Sequence, residues 1–274
     1  MATKPYLLYA YPWMPYPRRI IIYLRERKIP STLVTIVPVS DPHLPTGNTV
    51  SPSFPPRPQG SLPILAIPSS STSTSTDTPV TYTYIRQSVA IMHYLDTLCD
   101  TASNGFPLSK YPMRGIDALS QARETELLTL AEELLVAWNP VRMFGTGAGT
   151  MPYPEGAKEM LRWVYRDLYT VESWFQDRRS FDHLERGGRG PSVAEIVLYQ
   201  FFEFTRVCYG VDLLGRVEGE MVVDVYGREV VMRFDRLKEF VRVFGGRESA
   251  VLEEDEKPSK EVLANMSRWE DGVL

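Results

Sequence analysis

"YLLYAYPWMPYPRRIIIYLRERKIPSTLVTIV", residues 6 to 37, decides the fold of this chain. Tyr6 to Tyr11 are aromatic and aliphatic, a composition suited to a strand, and Pro12 ends it. From Arg18 the apolar positions Ile20, Ile21, Leu24 and Ile29 suit a helix, with Arg25-Glu26-Arg27-Lys28 as its exposed final turn and Pro30 as its stop. Thr32 to Val37 then reads as a second strand. Strand, helix, strand in this order predicts a parallel pair joined by a right-handed crossover.

Working outward, residues 38–61 are rich in Pro, Ser, Thr and Gly and predict an ordered but irregular loop. Leu62 to Ile67 is a short strand. The polar tract "SSSTSTSTDT", residues 69–78, is expected to form a flexible hairpin tip, and Val80 to Ile85 alternates as a further strand. Gln87 to Leu98 turns helical, with Ala90, Ile91, Tyr94, Leu95 and Leu98 on one face. Residues 101–115 read as a linker. Beyond them Leu127, Leu128, Ala131, Leu134, Leu135 and Trp138 form one apolar stripe closed by Asn139-Pro140, and Leu161 to Phe175 carry another. Ser192 and Glu195 stand at capping-box spacing before a third helix, and a last helix is expected from Phe234 to Phe244. The segment "RVEGEMVVDVY", residues 216–226, is too polar and β-branched to assign. The expected organisation is an α+β domain over residues 1–100, the linker 101–115, and an all-helical domain over residues 116–274.

A formal charge of −4 with scattered basic residues supplies no field for holding nucleic acid or an anionic membrane. No apolar run approaches the roughly 20 residues of a spanning helix, and the first five residues lead straight into a strand without the pattern of a secretory leader. Cys99 and Cys208 are far apart and read as two free buried thiols in a reducing compartment, so the expected location is the cytoplasm. His43, His93 and His183 have no ligand partners at suitable spacing, and no metal site is expected. Neither a Gly-rich phosphate loop nor a Gly-x-Ser-x-Gly elbow occurs.

Candidate chemistry gathers at three places. The turn from Pro12 to Pro17 opens a helix, whose N-terminal amides favour a docked thiolate or carboxylate. Around it lie Tyr9, Tyr11, Trp13 and Tyr16; a phenol there could polarise a thiol, and packing accounts for at least two of the four. "QGSLPIL", residues 59–65, places Leu62-Pro63 before a strand, where either an ordinary trans proline or a cis bond presenting the Leu62 backbone would fit. Gln87 and Ser88 open a helix directly after a strand, and serve either as a plain N-cap by Ser88 or as a carboxylate site.

In order along the chain, "PYPRRIIIYLRERKIP", "PRPQGSLPIL", "RQSVAIMHYLD", "PSVAEIVLYQFFEF" and "FDRLKEFVRVFGGRESA" resemble the conserved segments of the cytosolic glutathione transferase superfamily. The resemblance covers most of the chain. It implies a thioredoxin-like N-terminal domain that binds glutathione and an all-α C-terminal domain over the second substrate. On it, Leu62 beside a cis Pro63 pairs with the cysteinyl backbone, Gln87 and Ser88 hold the γ-glutamyl carboxylate, and Met14 lies at the thiol. Trp13, Trp138, Met143 and Phe144 would face a hydrophobic electrophile, and Tyr11, Tyr9 or Tyr16 would donate a hydroxyl to the sulfur. Three departures stand out: Met14 replaces the usual Ser or Cys, Arg57 replaces the Asn before proline, and proline-rich residues 42–58 replace the usual second helix. Cysteines at 14 and 17 would have made the glutaredoxin signature Cys-Pro-Tyr-Cys; without them disulfide exchange is not expected. The implied activity is glutathione conjugation or a glutathione-dependent isomerisation, in a homodimer, in specialised (secondary) metabolism. The alternative is a non-catalytic scaffold of the same fold.

Overall fold

The computed structural model describes residues 4–41, 47–69, 81–149, 151–176, 180–185, 188–223 and 227–274. The tract expected as a hairpin tip, apart from Ser69, lies outside the described residues, as do His43 and residues 224–226. The chain divides into two compact units, Met1–Pro112 and Met113–Leu274.

In the first unit β1 (Tyr6–Ala10) leads through α1 (Pro15–Glu26) to β2 (Val34–Pro38), and β1 and β2 pair in parallel, Tyr6 opposite Val34 and Ala10 opposite Pro38. Next come β3 (Ile64–Pro68), β4 (Tyr82–Arg86) and α2 (Ser88–Asp100). β3 is antiparallel to both β1 and β4, so the sheet runs β2-β1-β3-β4. This is the thioredoxin-like arrangement. α1 begins three residues before the expected start, because Pro15 occupies its first position, where a missing N–H has no helical acceptor to lose. The helix is buried on nearly every side, including Arg18 and Arg19, at 1% and 0% exposure. That contradicts the simple amphipathic pattern read from its isoleucines.

α1 packs against α2, and an ionic knot closes the contact. Fully buried Asp96 accepts from Tyr23 Oη at 3.2 Å and Arg27 Nε at 3.1 Å; Arg27 also pairs through Nη2 with Asp96 and donates through Nη1 to the Tyr111 carbonyl at 2.8 Å. Cys99, on the same helix, is buried and free. Its thiol is pushed up by burial, which the nearby Arg27 guanidinium opposes.

The second unit is built from α3 (Ala118–Gly145), α4 (Pro154–Phe175), α5 (Val193–Tyr209), the single turn α6 (Leu213–Arg216), α7 (Asp235–Gly245) and α8 (Lys260–Met266). α3 packs against α4 and α5, and α7 against the same two. The expected stop at Asn139-Pro140 does not hold: α3 continues through Pro140 to Gly145. The proline frees the carbonyl of Val136, a solvent-facing residue where water can satisfy it, while Trp138 and Val141 on either side are fully buried and hold the helix together. The unassigned segment supplies β5 (Met221–Val223), antiparallel to β6 (Glu229–Val231). This two-stranded sheet, rich in β-branched valine, is the one departure from an all-helical unit among the described residues. The expected capping box is present, Glu195 N donating to Ser192 Oγ at 3.2 Å and Ser192 N to Glu195 Oε2 at 2.9 Å. His183 is not isolated: its Nε2 lies 2.8 Å from the other oxygen of Glu195. α5 ends at Gly210, whose left-handed backbone (φ 67°) lets its amide close on the carbonyls of Arg206 and Thr205. No helix among the described residues is long and apolar enough to cross a membrane.

The ionic knot sets a stability prediction. Asp96→Ala leaves a guanidinium and a phenol without their buried acceptor and should cost about 3–5 kcal/mol in equilibrium urea unfolding. A loss below about 1 kcal/mol would show the pair to be no stronger than a surface bridge.

Candidate functional site

Register brings the three candidate segments to one end of one sheet. Ile64, at the start of β3, pairs with Tyr9 on one side and with Arg86 on the other. Strand neighbours lie about 4.8 Å apart. The turn leaving β1, the Leu62-Pro63 step entering β3 and the Gln87-Ser88 step leaving β4 therefore meet at that edge. The Leu62–Pro63 bond is cis. Leu62 is half-buried, and its backbone makes no hydrogen bond among the described residues.

The start of α2 is built for an anion. Gln87 takes φ 71°, ψ 120°, a sparsely populated conformation for a side chain with a Cβ. Ser88 is the first helical residue rather than the N-cap, and no side chain caps this end. The plain N-cap reading of Ser88 is thereby set aside. The first helical bond runs from Ile91 N to the Gln87 carbonyl at 3.0 Å, which leaves the amides of Ser88, Val89 and Ala90 without acceptors among the described residues. The side chains of Gln87, exposed, and Ser88, 3% exposed, are likewise unpartnered there. Amides, a hydroxyl and a carboxamide at a positive helix end form a receptor for a carboxylate.

The start of α1 differs sharply. Its four orphan amide positions are Met14, Pro15, Tyr16 and Pro17. Two are prolines and carry no N–H, and Met14 N donates to the Tyr11 carbonyl at 3.1 Å. Only the Tyr16 N–H remains without an acceptor among the described residues. The Arg19 guanidinium stands over the Tyr16 ring at 4.9 Å. Trp13, Met14 and Tyr16 are half-buried, so each keeps some access to solvent.

Tyr9 and Tyr11 have another task. They lie on one face of the sheet with Leu7, Val37, Val39, Ile64 and Ala66, and Val50, Phe54, Met14 and Leu62 pack against that cluster. Tyr9 Oη donates to the Pro55 carbonyl at 3.1 Å, and Tyr11 Oη donates to Asn48 Oδ1. The phenols pin the proline-rich segment onto the sheet where a second helix is expected by resemblance. Burial, with Tyr82 and Tyr84 nearby, pushes the Tyr9 hydroxyl up to about 12, and burial also raises that of Tyr11 against the pull of Arg57. Sequence reasoning missed this use; the signal was Asn48 and Pro55 in a segment treated as loop. Arg57 also stands there, donating through Nη2 to the Gly60 carbonyl at 2.6 Å.

The remaining predicted pocket residues belong to the second unit. Trp138 is fully enclosed, with Phe201, Tyr209 and Trp269 edge-on at 6.4, 5.6 and 5.8 Å, which makes it a core residue and not a pocket lining. Met143 and Phe144 are half-buried in the last turn of α3, Phe144 against the Tyr153 ring at 6.2 Å. Among the described residues no group of three or more His, Cys, Asp or Glu could hold a metal ion.

Comparison with known proteins agrees with this fold. Residues 13–98 match the family model of the glutathione S-transferase N-terminal domain. No curated protein matches the chain. A glutathione S-transferase from Methylobacillus flagellatus, solved with glutathione bound, superposes with a TM-score of 0.58 at 17% identity, covering 93% of this chain and 100% of that one. A transferase family member from Pseudomonas fluorescens Pf-5 with bound S-(propanoic acid)-glutathione gives 0.58 at 16% identity, covering 92% and 100%. Glutathione transferase Omega 3C from Trametes versicolor gives 0.55 at 16%, covering 96% and 88%. The chain thus has the glutathione transferase fold.

The tyrosine environment generates a pH prediction. A phenol whose native pKa lies near 12 keeps its proton longer than the same group in the unfolded chain, near 10. The unfolded state then binds fewer protons, so the stabilisation is complete below about pH 10 and is lost between about 10 and 12. Tyr94, Tyr165 and Tyr209 are also pushed up to about 12 by burial. Tyrosinate absorbance should show a late-titrating class in the native protein, reduced by one residue in Tyr9→Phe; titration of every tyrosine near 10 before unfolding would contradict these environments.

Proposed function

We propose that the protein is a glutathione-dependent transferase whose thiol is supplied by the bound tripeptide. The observation that carries the reading is the unpartnered receptor of Gln87, Ser88 and the first α2 amides, brought by register beside the free Leu62 backbone. Gln87 and Ser88 would hold the γ-glutamyl carboxylate, and Leu62 N–H and C=O would pair with the cysteinyl unit. Held in this way, the tripeptide would bring its sulfur toward Met14 and Tyr16. Met14 has no proton to give or take, and Tyr9 and Tyr11 spend their hydroxyls on the loop. The Tyr16 amide and hydroxyl are therefore the donors assigned to the sulfur. A hydrophobic electrophile held near Trp13 would react by conjugation or by reversible addition that isomerises a double bond. Proximity to the held thiolate supplies much of the acceleration. Cytoplasmic location, a homodimer and a place in specialised metabolism complete the proposal.

A second reading is favoured by one observation, the loss of two α1 amides to Pro15 and Pro17: the fold serves as a binding or scaffold protein without turnover. Calorimetric titration with glutathione and a screen over conjugation and isomerisation substrates separate the two. Tight binding without any turnover would support the scaffold. Gln87→Ala with Ser88→Ala should weaken glutathione at least about tenfold, the loss of charged hydrogen bonds to one carboxylate; unchanged affinity would sink the site.

Thiol activation has its own test. Pro17→Ala restores an N–H at the third helical position of α1. The pH profile of kcat/KM should move down by about half a unit as the bound thiolate gains a donor. An unmoved profile would show that the α1 end does not face the sulfur.

A further inference from the structure

Residues 55–58, Pro-Pro-Arg-Pro, carry more proline than the sheet requires of them. Cover for the sheet comes from Val50 and Phe54, and the acceptor for Tyr9 is the Pro55 carbonyl. Pro56 and Pro58 belong to neither task. Their conformation is nonetheless set by chemistry. Proline holds φ near about −65°, and a residue before proline is held extended, which covers Phe54, Pro55 and Arg57. Pro55, Pro56 and Pro58 each follow a trans bond, and the run forms neither helix, strand nor turn. These constraints define a polyproline-II stretch, without internal hydrogen bonds and with about three residues per turn.

Side chains three apart therefore share a ridge. Phe54 and Arg57 share the inward one: Phe54 packs on the sheet cluster, and Arg57 donates to the Gly60 carbonyl at 2.6 Å. Pro55 and Pro58, half-buried, share the second, and Pro56 and Gln59, exposed, share the third. The carbonyls of Pro56, Arg57 and Pro58 accept from no group among the described residues. Arg86 reaches across from β4 to the far end. Its Nη2 donates to the Gln59 carbonyl at 3.3 Å, and its Nε lies 3.2 Å from where a Cβ on Gly60 would stand. That sets a cation where the second residue after Pro58 would carry its side chain. Arg86 is exposed and makes no ion pair with any described residue.

Two prolyl ridges with free carbonyls and a cation at one end match one class of partner. We propose that residues 55–59, with Arg86, dock a protein module of the SH3 type, which reads Pro-x-x-Pro ligands in an aromatic-lined groove beside an acidic rim. The prolyl rings fill the groove, its indole and phenol groups donate to the free carbonyls, and the rim meets Arg86. Phe54 and Tyr9 already hold the stretch in place, so docking orders no further chain.

The probe is a nitrogen-15-labelled SH3 domain with an acidic rim, titrated with the full chain and followed by its amide shifts. Saturable shifts confined to the aromatic groove and rim are expected, with an affinity that falls as salt rises. Pro56→Ala with Pro58→Ala should weaken binding at least about tenfold, and Arg86→Ala should flatten the salt dependence. Replacing the groove tryptophan of the SH3 domain by lysine tests the same contact without touching this chain, and should abolish the shifts. Absence of saturable shifts, or shifts that persist in that SH3 variant, would overturn the docking site. Unchanged affinity in the double proline variant would do the same, and an unchanged salt dependence in Arg86→Ala would remove Arg86 from it.

Discussion

Ile64 sits between Tyr9 and Arg86, and the candidate site hangs on that one rung of the sheet. A strand has a two-residue period, so a slip of one residue in either pairing would exchange the side chains of the two buried faces of β3 and displace the Gln87-Ser88 step by about 3.3 Å. Burial of Leu7, Tyr9, Ile64 and Ala66 on one face makes such a slip costly. The hydrophobic pattern of three strands thus sets the position of polar groups that take no part in the core. The left-handed backbone of Gln87 depends on the same rung, since β4 and α2 flank it with no connecting loop to share the turn.

The proline-rich segment is best understood from the sheet's side. A face carrying two tyrosines needs apolar cover and two acceptors for their hydroxyls, because an unsatisfied buried phenol costs about 1–3 kcal/mol. Residues 47–57 provide both: Val50 and Phe54 as cover, Asn48 and the Pro55 carbonyl as acceptors. Prolines cannot complete a helical ladder, but they fix an extended backbone whose carbonyls point outward to accept. An irregular segment therefore does the covering work of a helix, and it engages the hydroxyls of Tyr9 and Tyr11 in doing so.

These residues also mark what was legible in the sequence. The β-α-β start, the register-bearing strands and the capping box of α5 were readable because each depends on local composition and periodicity, whereas the cis Leu62–Pro63 bond was implied only by resemblance. Four features were not readable. The passage of α3 through Pro140 rests on the burial of Trp138 and Val141, a tertiary property. Trp138 looked like a pocket aromatic because an apolar stripe does not tell which partner covers it; three rings do. The role of Tyr9 and Tyr11 required knowing that residues 37 to 46 positions away would return as acceptors. Ser88 was legible as a polar residue at a helix start but not as one left unpartnered, since capping and ligand binding use the same residue types.

The two helix starts then separate two physical functions that a single site normally joins. Interactions that hold a substrate and its transition state equally well contribute affinity, and only those that strengthen as charge develops on the sulfur contribute rate. On the proposed reading the α2 start, with its amides unspent, is of the first kind, since the carboxylate it would hold does not change its charge. The α1 start belongs to the second, and here Pro15, Pro17 and Met14 reduce the fixed donors to the Tyr16 amide. The two lie on different helices, which meet at the Asp96 knot and through the β1–β3–β4 register. On that reading affinity for the tripeptide would be no measure of turnover, and the chemistry would be decided at Tyr16, where the loss or gain of one donor would act on the developing thiolate alone.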